Sequence, residues 1–285
     1  MATIKKVQDG RYYANQIRGN EMKGTEARIK KVRYPSFKIR RIHAKTTNET
    51  MYFHDLKNKS VDNKMQASQT VFTTNLFSSK LCNDIITASE DYAKSRKNEY
   101  YSVWRTLCQG DAVDKNGWST ARHSHAPTTD IQFEMLKQSD PKVYNRAMTR
   151  LGLLKTKLAI EILNILPRRI DMDDIFVVKY EAGKKGSQDF LMKHRDGSTV
   201  TFNILLSDTT DFEGGGTELF EPYNTDIHLK QGGCLSHYGL LSHAGKKITK
   251  GSRYVLVVFM QIENFEIHHS GEMICSLSID CCTMC

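Results

Sequence analysis

Two histidines and an aspartate in the C-terminal half have the types and spacing for metal chemistry: His194 and Asp196, separated by Arg195, and His243, 47 residues beyond Asp196. Two imidazoles and one carboxylate are the ligand set that holds non-haem iron(II) on one face and leaves adjacent coordination positions open. The short spacing has a geometric reason. In extended backbone residues i and i+2 project to the same side, so His194 and Asp196 reach one ion while Arg195 points away. A distal strand end must then supply the third ligand. A His-x-Asp tripeptide arises readily by chance, and a solitary histidine is more often an ordinary surface or core side chain, so the neighbours decide its meaning.

Those neighbours are informative. Asp211-Phe-Glu-Gly-Gly-Gly-Thr-Glu-Leu-Phe220 lies between the two ligand sites, and Gly251-Ser-Arg253-Tyr254 follows His243, with Arg253 ten residues beyond it. A dicarboxylate co-substrate that chelates iron at one end needs a buried cation for its far carboxylate, and a guanidinium offers the planar, bidentate match.

Positioning such groups requires a rigid frame, and the chain supplies two textures. Upstream, Leu81, Ile85, Ala88 and Tyr92 recur at helical spacing over Leu81 to Ala93, with Ser78, Ser79 or Asn83 available as caps. The segment from Pro141 to Leu166, with Leu151, Leu154, Leu158, Ile162 and Ile165 on one face, reads as one long helix stopped by Pro167. Residues 108 to 128 have the composition of a loop. Beyond Pro167 the period changes to two. Ile175–Tyr180, Thr199–Leu206, Thr217–Phe220, Cys234–His237 and Tyr254–Met260 are short Val-, Ile-, Phe- and Leu-rich runs separated by Gly- and Asp-bearing turns. Helices followed by a run of strands predict a mainly β protein, an antiparallel sandwich or barrel of the jelly-roll kind, braced on one face by the helices.

Charge is unevenly placed. Of 41 Lys+Arg and 32 Asp+Glu, residues 1–65 hold 16 and 6, which leaves 25 against 26 for the rest. The net charge of +9 therefore belongs to an N-terminal extension, 1–65, and not to the segment bearing the ligand set. Within it Ile29 to His43 mixes basic residues with Tyr34 and Phe37 around Pro35, suited either to nucleic-acid phosphates or to a solvated, partly disordered arm. The remainder divides into a domain at 66–265, with helical support at 71–168 and a jelly-roll core at 170–262, and a Cys-rich tail at 266–285. No apolar run approaches the roughly 20 residues of a membrane span. The opening Met-Ala-Thr-Ile-Lys-Lys lacks the apolar core of a secretory signal, so the expected location is intracellular, cytoplasmic or nuclear, with no membrane partner. In that setting the Asn48-Glu-Thr50 sequon reads as chance.

Seven cysteines, an odd number, argue against a disulfide framework. Cys82, Cys108 and Cys234 are far apart. Cys275, Cys281, Cys282 and Cys285 crowd the end, where a metal knuckle with His268 and His269 and a prenylation box both fit poorly, and a frayed tail of oxidisable thiols fits better.

The block from Tyr180 to Phe259 resembles the catalytic domain of the prolyl/lysyl hydroxylase group of 2-oxoglutarate oxygenases, most closely the procollagen lysyl hydroxylases. Four stretches carry the resemblance in order: Phe176-Val-Val-Lys-Tyr180, His194-x-Asp-x-Ser-Thr-x-Thr-Phe-Asn-Ile204, Asp211-Phe-Glu-Gly-Gly-Gly216, and His243-x-Gly followed by Gly251-x-Arg253-Tyr254. The resemblance implies a double-stranded β-helix of cupin-like form. It implies Fe(II), 2-oxoglutarate and O2 as the reacting set, ascorbate as an auxiliary reductant, and hydroxylation of a C–H bond with release of succinate and CO2. Carried over residue by residue, it makes His194, Asp196 and His243 the iron ligands and Arg253 the anchor of the distal carboxylate. Tyr180 resembles a co-substrate-binding tyrosine, with a plain core aromatic as the alternative. Thr201 and Asn203 share a strand face by parity and line either the co-substrate cavity or the solvent face. His237 is set aside as a ligand because only His243 has the ten-residue step to Arg253. Gly214 to Gly216 read chiefly as a turn fixed by Glu213 and Thr217, and Glu218 departs from the family pattern.

The polar stretch from Trp118 to Asp130 is either a substrate-facing loop or packing under the sheet, and His123 with His125 forms at most an accidental second metal pair. The leading reading is a hydroxylase of a lysyl or prolyl side chain in a protein or peptide. The missing signal sequence makes collagen itself a doubtful substrate. An oxygenase acting on nucleic acid through the basic extension, an oxygenase of small molecules, and a non-catalytic β-sandwich binding module are the alternatives.

Overall fold

The computed structural model describes residues 4–7, 11–14, 37–45, 51–55, 64–96, 113–120, 122–123, 126–184 and 187–269. Tyr34, Asn48, Cys108, His125 and the four C-terminal cysteines lie outside these residues. The chain separates into two units, Met1–Ser36 and Phe37–Cys285. In the first, Ile4–Val7 (β1) pairs antiparallel with Arg11–Ala14 (β2).

The second unit contains Arg40–Arg41 (β3), Met51–Asp55 (β4), Lys64–Gln66 (β5), Phe72–Asn75 (β6), helix Ser79–Arg96 (α1), Asp130–Gln132 (β7), and helices Leu136–Ser139 (α2) and Pro141–Lys157 (α3). Next come Ile170–Glu181 (β8), Leu191–His194 (β9), Val200–Leu205 (β10), Phe212–Gly214 (β11) and Thr217–Leu219 (β12). The last five are Thr225–Ile227 (β13), Gly233–Tyr238 (β14), His243–Gly245 (β15), Ile248–Ile262 (β16) and Phe265–His269 (β17). One large sheet runs β3-β6-β14-β10-β16-β8-β7, with β11 added to β16, and a second runs β13-β12-β15-β9. All these pairings are antiparallel. The mainly β jelly-roll core with supporting helices is as the sequence pattern predicts. Strands β3 and β4, within the basic segment 1–65, pair with β6 and β17.

Strand parity divides the core. On β16, Leu256, Val258 and Met260 join the cluster that packs against Leu81, Ile85, Leu151 and Leu154 of α1 and α3, whereas Val255 joins a smaller cluster with Phe176, Val178 and Tyr180 on the opposite side. Strand β10 divides likewise, with Val200, Phe202 and Ile204 toward the helices and Leu205 on the other side. The helix layer thus braces one face of the large sheet and leaves the other to face the small sheet.

Local chemistry fixes the helices. Ser78 Oγ accepts from the Leu81 amide at 3.3 Å, and Asp140 Oδ1 accepts from Val143 N at 3.1 Å with Pro141 at the first helical position. The predicted continuous helix to Leu166 is corrected. The α-helix ends at Lys157, Leu158–Ile162 form a π turn with Leu163 N bonded to Leu158 O, and Asn164 adopts a left-handed φ of 48°. Leu158, Ala159 and Ile162 remain buried through the wider turn, so apolar spacing conceals the change. Residue Asp130, expected at the end of a loop, begins an edge strand. No described helix is long and apolar enough to cross a membrane.

Candidate active site

Strands β9 and β15 are neighbours in the small sheet, and their register places His243 directly opposite His194. Asp196 follows β9, its amide donating to Gly239 O at 2.9 Å. The ring of His194 turns Nδ1 to Met192 O at 2.8 Å, and that of His243 turns Nδ1 to Leu241 O at 2.9 Å. A carbonyl accepts only from N–H, so both rings carry the proton on Nδ1 and present the Nε2 lone pair. Those lone pairs lie 3.5 and 3.7 Å from Asp196 Oδ1. The three ligand atoms fall within 4.8 Å of one another. Two imidazole nitrogens and a carboxylate oxygen facing one point suit a divalent cation, which would take the place of any proton held between them.

The second Asp196 oxygen is held apart from this cluster. Oδ2 accepts from Thr201 Oγ1 at 2.5 Å, and Thr201 in turn contacts Ser198 Oγ at 2.7 Å. Burial alone would raise the Asp196 carboxyl pKa, yet His243, His194, His237 and Thr201 together hold it well below the usual range. Burial pushes the pKa of His243 down to about 3 against the pull of Asp196. His194, more open, goes the other way: its burial is outweighed by the hydrogen bond and charge of Asp196, which raise its pKa.

His237 is fully buried behind the cluster, its Nε2 3.8 Å from Asp196 Oδ2 and 3.1 Å from Asn203 Nδ2. Its Nδ1 faces Tyr238 O at 3.0 Å, which leaves Nε2 to accept from Asn203. Asn203 lines the cavity. Thr201 is buried against Asp196, so the solvent-face alternative is excluded for it; it orients the carboxylate. Parity found the pair, but the partner of Thr201 had no sequence signal.

The cluster opens into a cavity of about 720 Å³ between the two sheets. At one end Arg253, on β16, is buried beside its register partner Tyr180 on β8, with Cζ 5.2 Å from the phenol centroid. No carboxylate among the described residues lies within ion-pair distance of Arg253. Burial lowers its pKa, partly opposed by Tyr180. A buried guanidinium without a counter-ion is costly and suits an anionic ligand. Lys250 is exposed and paired with Glu213, and Lys193 lies 4.3 Å from the Phe220 ring centroid. Gly214, Gly215 and Gly216 all have positive φ, and a Cβ on Gly215 would stand 3.2 Å from Arg253 Cδ, so this turn also lets backbone close on the arginine. Thr217 lines the cavity, while Glu218 pairs with Ala244 across β12 and β15.

Elsewhere on the cavity wall His123 packs at a tilt against Phe176, and Arg122 bridges Asp130 and Asp174. Arg122, His123 and Asp130 were legible only as part of an unusual polar stretch. Among the described residues, His123 belongs to no group that could hold a metal ion.

No protein-family model matches the chain. It is 28% identical over 218 residues to procollagen-lysine,2-oxoglutarate 5-dioxygenase 1 of Bos taurus, covering 73% of this chain and 26% of the relative. Against the Homo sapiens protein of the same name identity is 42% over 96 residues, 32% of this chain and 13% of the relative. The chain therefore spans about a quarter or less of the length of these relatives. Among solved structures it is similar to a viral collagen prolyl hydroxylase from Paramecium Bursaria Chlorella virus-1, with 14% identity and a TM-score of 0.38, covering 68% of this chain and 96% of that one. With its jelly-roll core, the chain is similar in sequence to the procollagen-lysine,2-oxoglutarate 5-dioxygenases, a likeness that supports a 2-oxoglutarate- and iron(II)-dependent dioxygenase.

Proposed function

We propose that this chain is a hydroxylase in which His194, Asp196 and His243 hold iron(II) and Arg253 anchors the distal carboxylate of 2-oxoglutarate. The observation that carries the reading is the convergence of three ligand atoms within 4.8 Å in a cavity that also holds a buried arginine without a counter-ion among the described residues. When bound, iron(II) and 2-oxoglutarate supply the oxidation: O2 is consumed, 2-oxoglutarate becomes succinate and CO2, and one oxygen atom enters a C–H bond. The protein's own residues bind and orient. Thr201 fixes Asp196, the Met192 and Leu241 carbonyls fix the histidine tautomers, and Phe176, Val178, Val255 and Val257 keep the cavity wall apolar. The relatives' names support a protein lysyl side chain as substrate, with prolyl as the second choice.

The test is succinate formation by the purified chain supplied with Fe(II), 2-oxoglutarate, O2 and ascorbate. Turnover that His243→Ala abolishes is the expected result. Absence of succinate above the His243→Ala background, with metal and co-substrate both shown to bind, would sink the reading.

A further inference from the structure

Part of the basic segment is built into the large sheet. Phe37 is buried in the core, Ile39 and Ile42 pack partly buried against the same cluster, and the Arg150 guanidinium lies 4.9 Å from the Phe37 ring centroid. Between these anchors Arg40 and Arg41 form β3, the outermost strand, registered on Thr73 and Phe72 of β6, and the Ile42 amide donates to Val71 O at 3.1 Å. The apolar side chains of the segment are thus spent on the core. Lys38, Arg40, Arg41, His43 and Lys45 are all exposed.

Their charge is not neutralised. Arg41 Nη1 donates to Gln69 O at 3.3 Å and Lys45 Nζ to Asn224 O at 2.6 Å, both uncharged carbonyls, and no carboxylate among the described residues pairs with Lys38, Arg40, Arg41 or Lys45. Other surface lysines differ: Lys80, Lys94, Lys137, Lys246 and Lys250 each have a carboxylate oxygen within 3.1 Å. The sequence extends the bias, with eight Lys+Arg and no Asp or Glu in residues 27–48. Charge on an edge strand also guards against pairing with another chain, but one or two lysines suffice for that.

The chemistry of the edge selects among polyanions. A protein partner needs an apolar anchor and a lipid surface an apolar side chain to insert, whereas Phe37, Ile39 and Ile42 are turned to the core. Single-stranded nucleic acid stacks its bases on exposed aromatics, and Phe37 is covered. Duplex RNA is told from DNA through its 2′-hydroxyls, and no hydroxyl or amide side chain stands between Lys38 and Lys45. Double-stranded DNA, with one charge per roughly 1.7 Å of axis, asks only for a row of cations.

We propose that the β3 edge, from Lys38 to Lys45, is a docking surface for the phosphate backbone of double-stranded DNA, bound without regard to base sequence. None of these residues lines the cavity, so the proposal is independent of the oxygenase reading.

The full chain is titrated into a fluorescent mixed-sequence DNA duplex of about 20 base pairs, and anisotropy gives the binding constant between about 50 and 200 mM salt. A second, unrelated sequence should bind alike. Each phosphate contact contributes about 0.9 to the slope of log K against log salt concentration. Lys38→Gln with Arg40→Gln leaves both carbonyl bonds intact and should lower the magnitude of the slope by up to about 2; adding Arg41→Gln and Lys45→Gln should lower it by up to about 4. The charge-keeping pair Lys38→Arg with Arg40→Lys should bind as the parent does. Thermal unfolding checks each variant, and the double variant carries the test if the fourfold one does not fold. Absence of DNA binding, a strong preference for one sequence, or an unchanged slope in the folded variants overturns the proposal. Tighter binding at the same salt to duplex RNA, to oligoglutamate or to phosphatidylserine vesicles assigns the edge to that partner and overturns it equally.

Discussion

Arg253 and Tyr180 are register partners on adjacent antiparallel strands, and the guanidinium carbon lies 5.2 Å from the phenol centroid. Burial raises the Tyr180 pKa, partly opposed by Arg253, so the phenol stays neutral and steadies the arginine without cancelling its charge. Truncating one member of a desolvated charge pair costs about 2–5 kcal/mol. Arg253→Ala should therefore weaken 2-oxoglutarate binding at least roughly tenfold, measured by anaerobic titration with Mn(II) in place of iron. Arg253→Lys keeps charge but loses the planar fork, so KM for 2-oxoglutarate should rise more than kcat falls. Parental affinity in Arg253→Ala moves the anchor to Lys250 or Lys193.

Removal of a metal ligand should separate chemistry from folding. His194→Ala and His243→Ala are expected to abolish 2-oxoglutarate turnover while the thermal unfolding midpoint of the metal-free protein changes little, because both rings line the cavity. Wild-type-like turnover in His243→Ala with iron still bound returns attention to His237.

Thr201 offers a finer test of how the carboxylate is presented. Its hydroxyl holds Asp196 Oδ2 at 2.5 Å and leaves Oδ1 to the cluster. Thr201→Val preserves shape and removes the donor, so Mn(II) affinity should fall by about 10- to 100-fold. Thr201→Ser should restore most of it. Equal affinities across the three proteins would reduce Thr201 to packing.

Gly239 constrains the same loop from the backbone. Its carbonyl accepts from Asp196 N, its amide donates to Thr199 O at 3.1 Å, and an added Cβ would stand 1.8 Å from Ser198 O. Gly239→Ala must move the backbone that carries Asp196, with an expected stability loss of about 1–3 kcal/mol in urea unfolding and weakened Mn(II) binding. Unchanged unfolding would show that the loop relaxes freely.

Buried thiols supply a pH-dependent prediction. Burial pushes the Cys82 pKa from 9.0 up to about 12, and also raises that of Cys234. The unfolded chain therefore loses these protons first, and the thiols' contribution to stability is full below pH 9 and declines as pH rises from 9 toward 12. Mass mapping after iodoacetamide treatment at pH 8 should find Cys82 and Cys234 unmodified in the folded protein and modified in urea. Rapid alkylation of either in the folded state contradicts their burial.

The sequence by itself determined the chemistry on offer and the class of frame. The one-residue gap between His194 and Asp196 states that both side chains share a side of an extended segment, and alternation around Val255, Val257 and Phe259 states which face Arg253 shares. Helical spacing in Leu81–Ala93 and Leu151–Leu158 likewise announced the bracing layer. Tertiary structure decided the rest. His237 Nε2 is as near Asp196 as His243 Nε2 is, 3.8 against 3.7 Å, and only the fold shows which Asp196 oxygen each one faces. Parity put Thr201 and Asn203 on one face, yet one orients a carboxylate and the other lines the cavity. Arg122, His123, Asp130 and Asp174 meet because β7 pairs with β8, a fact of strand order. Periodicity records which side of its own element a residue occupies. Which element it then meets depends on sheet order and register, set by the joint burial of many distant side chains and written in no single segment.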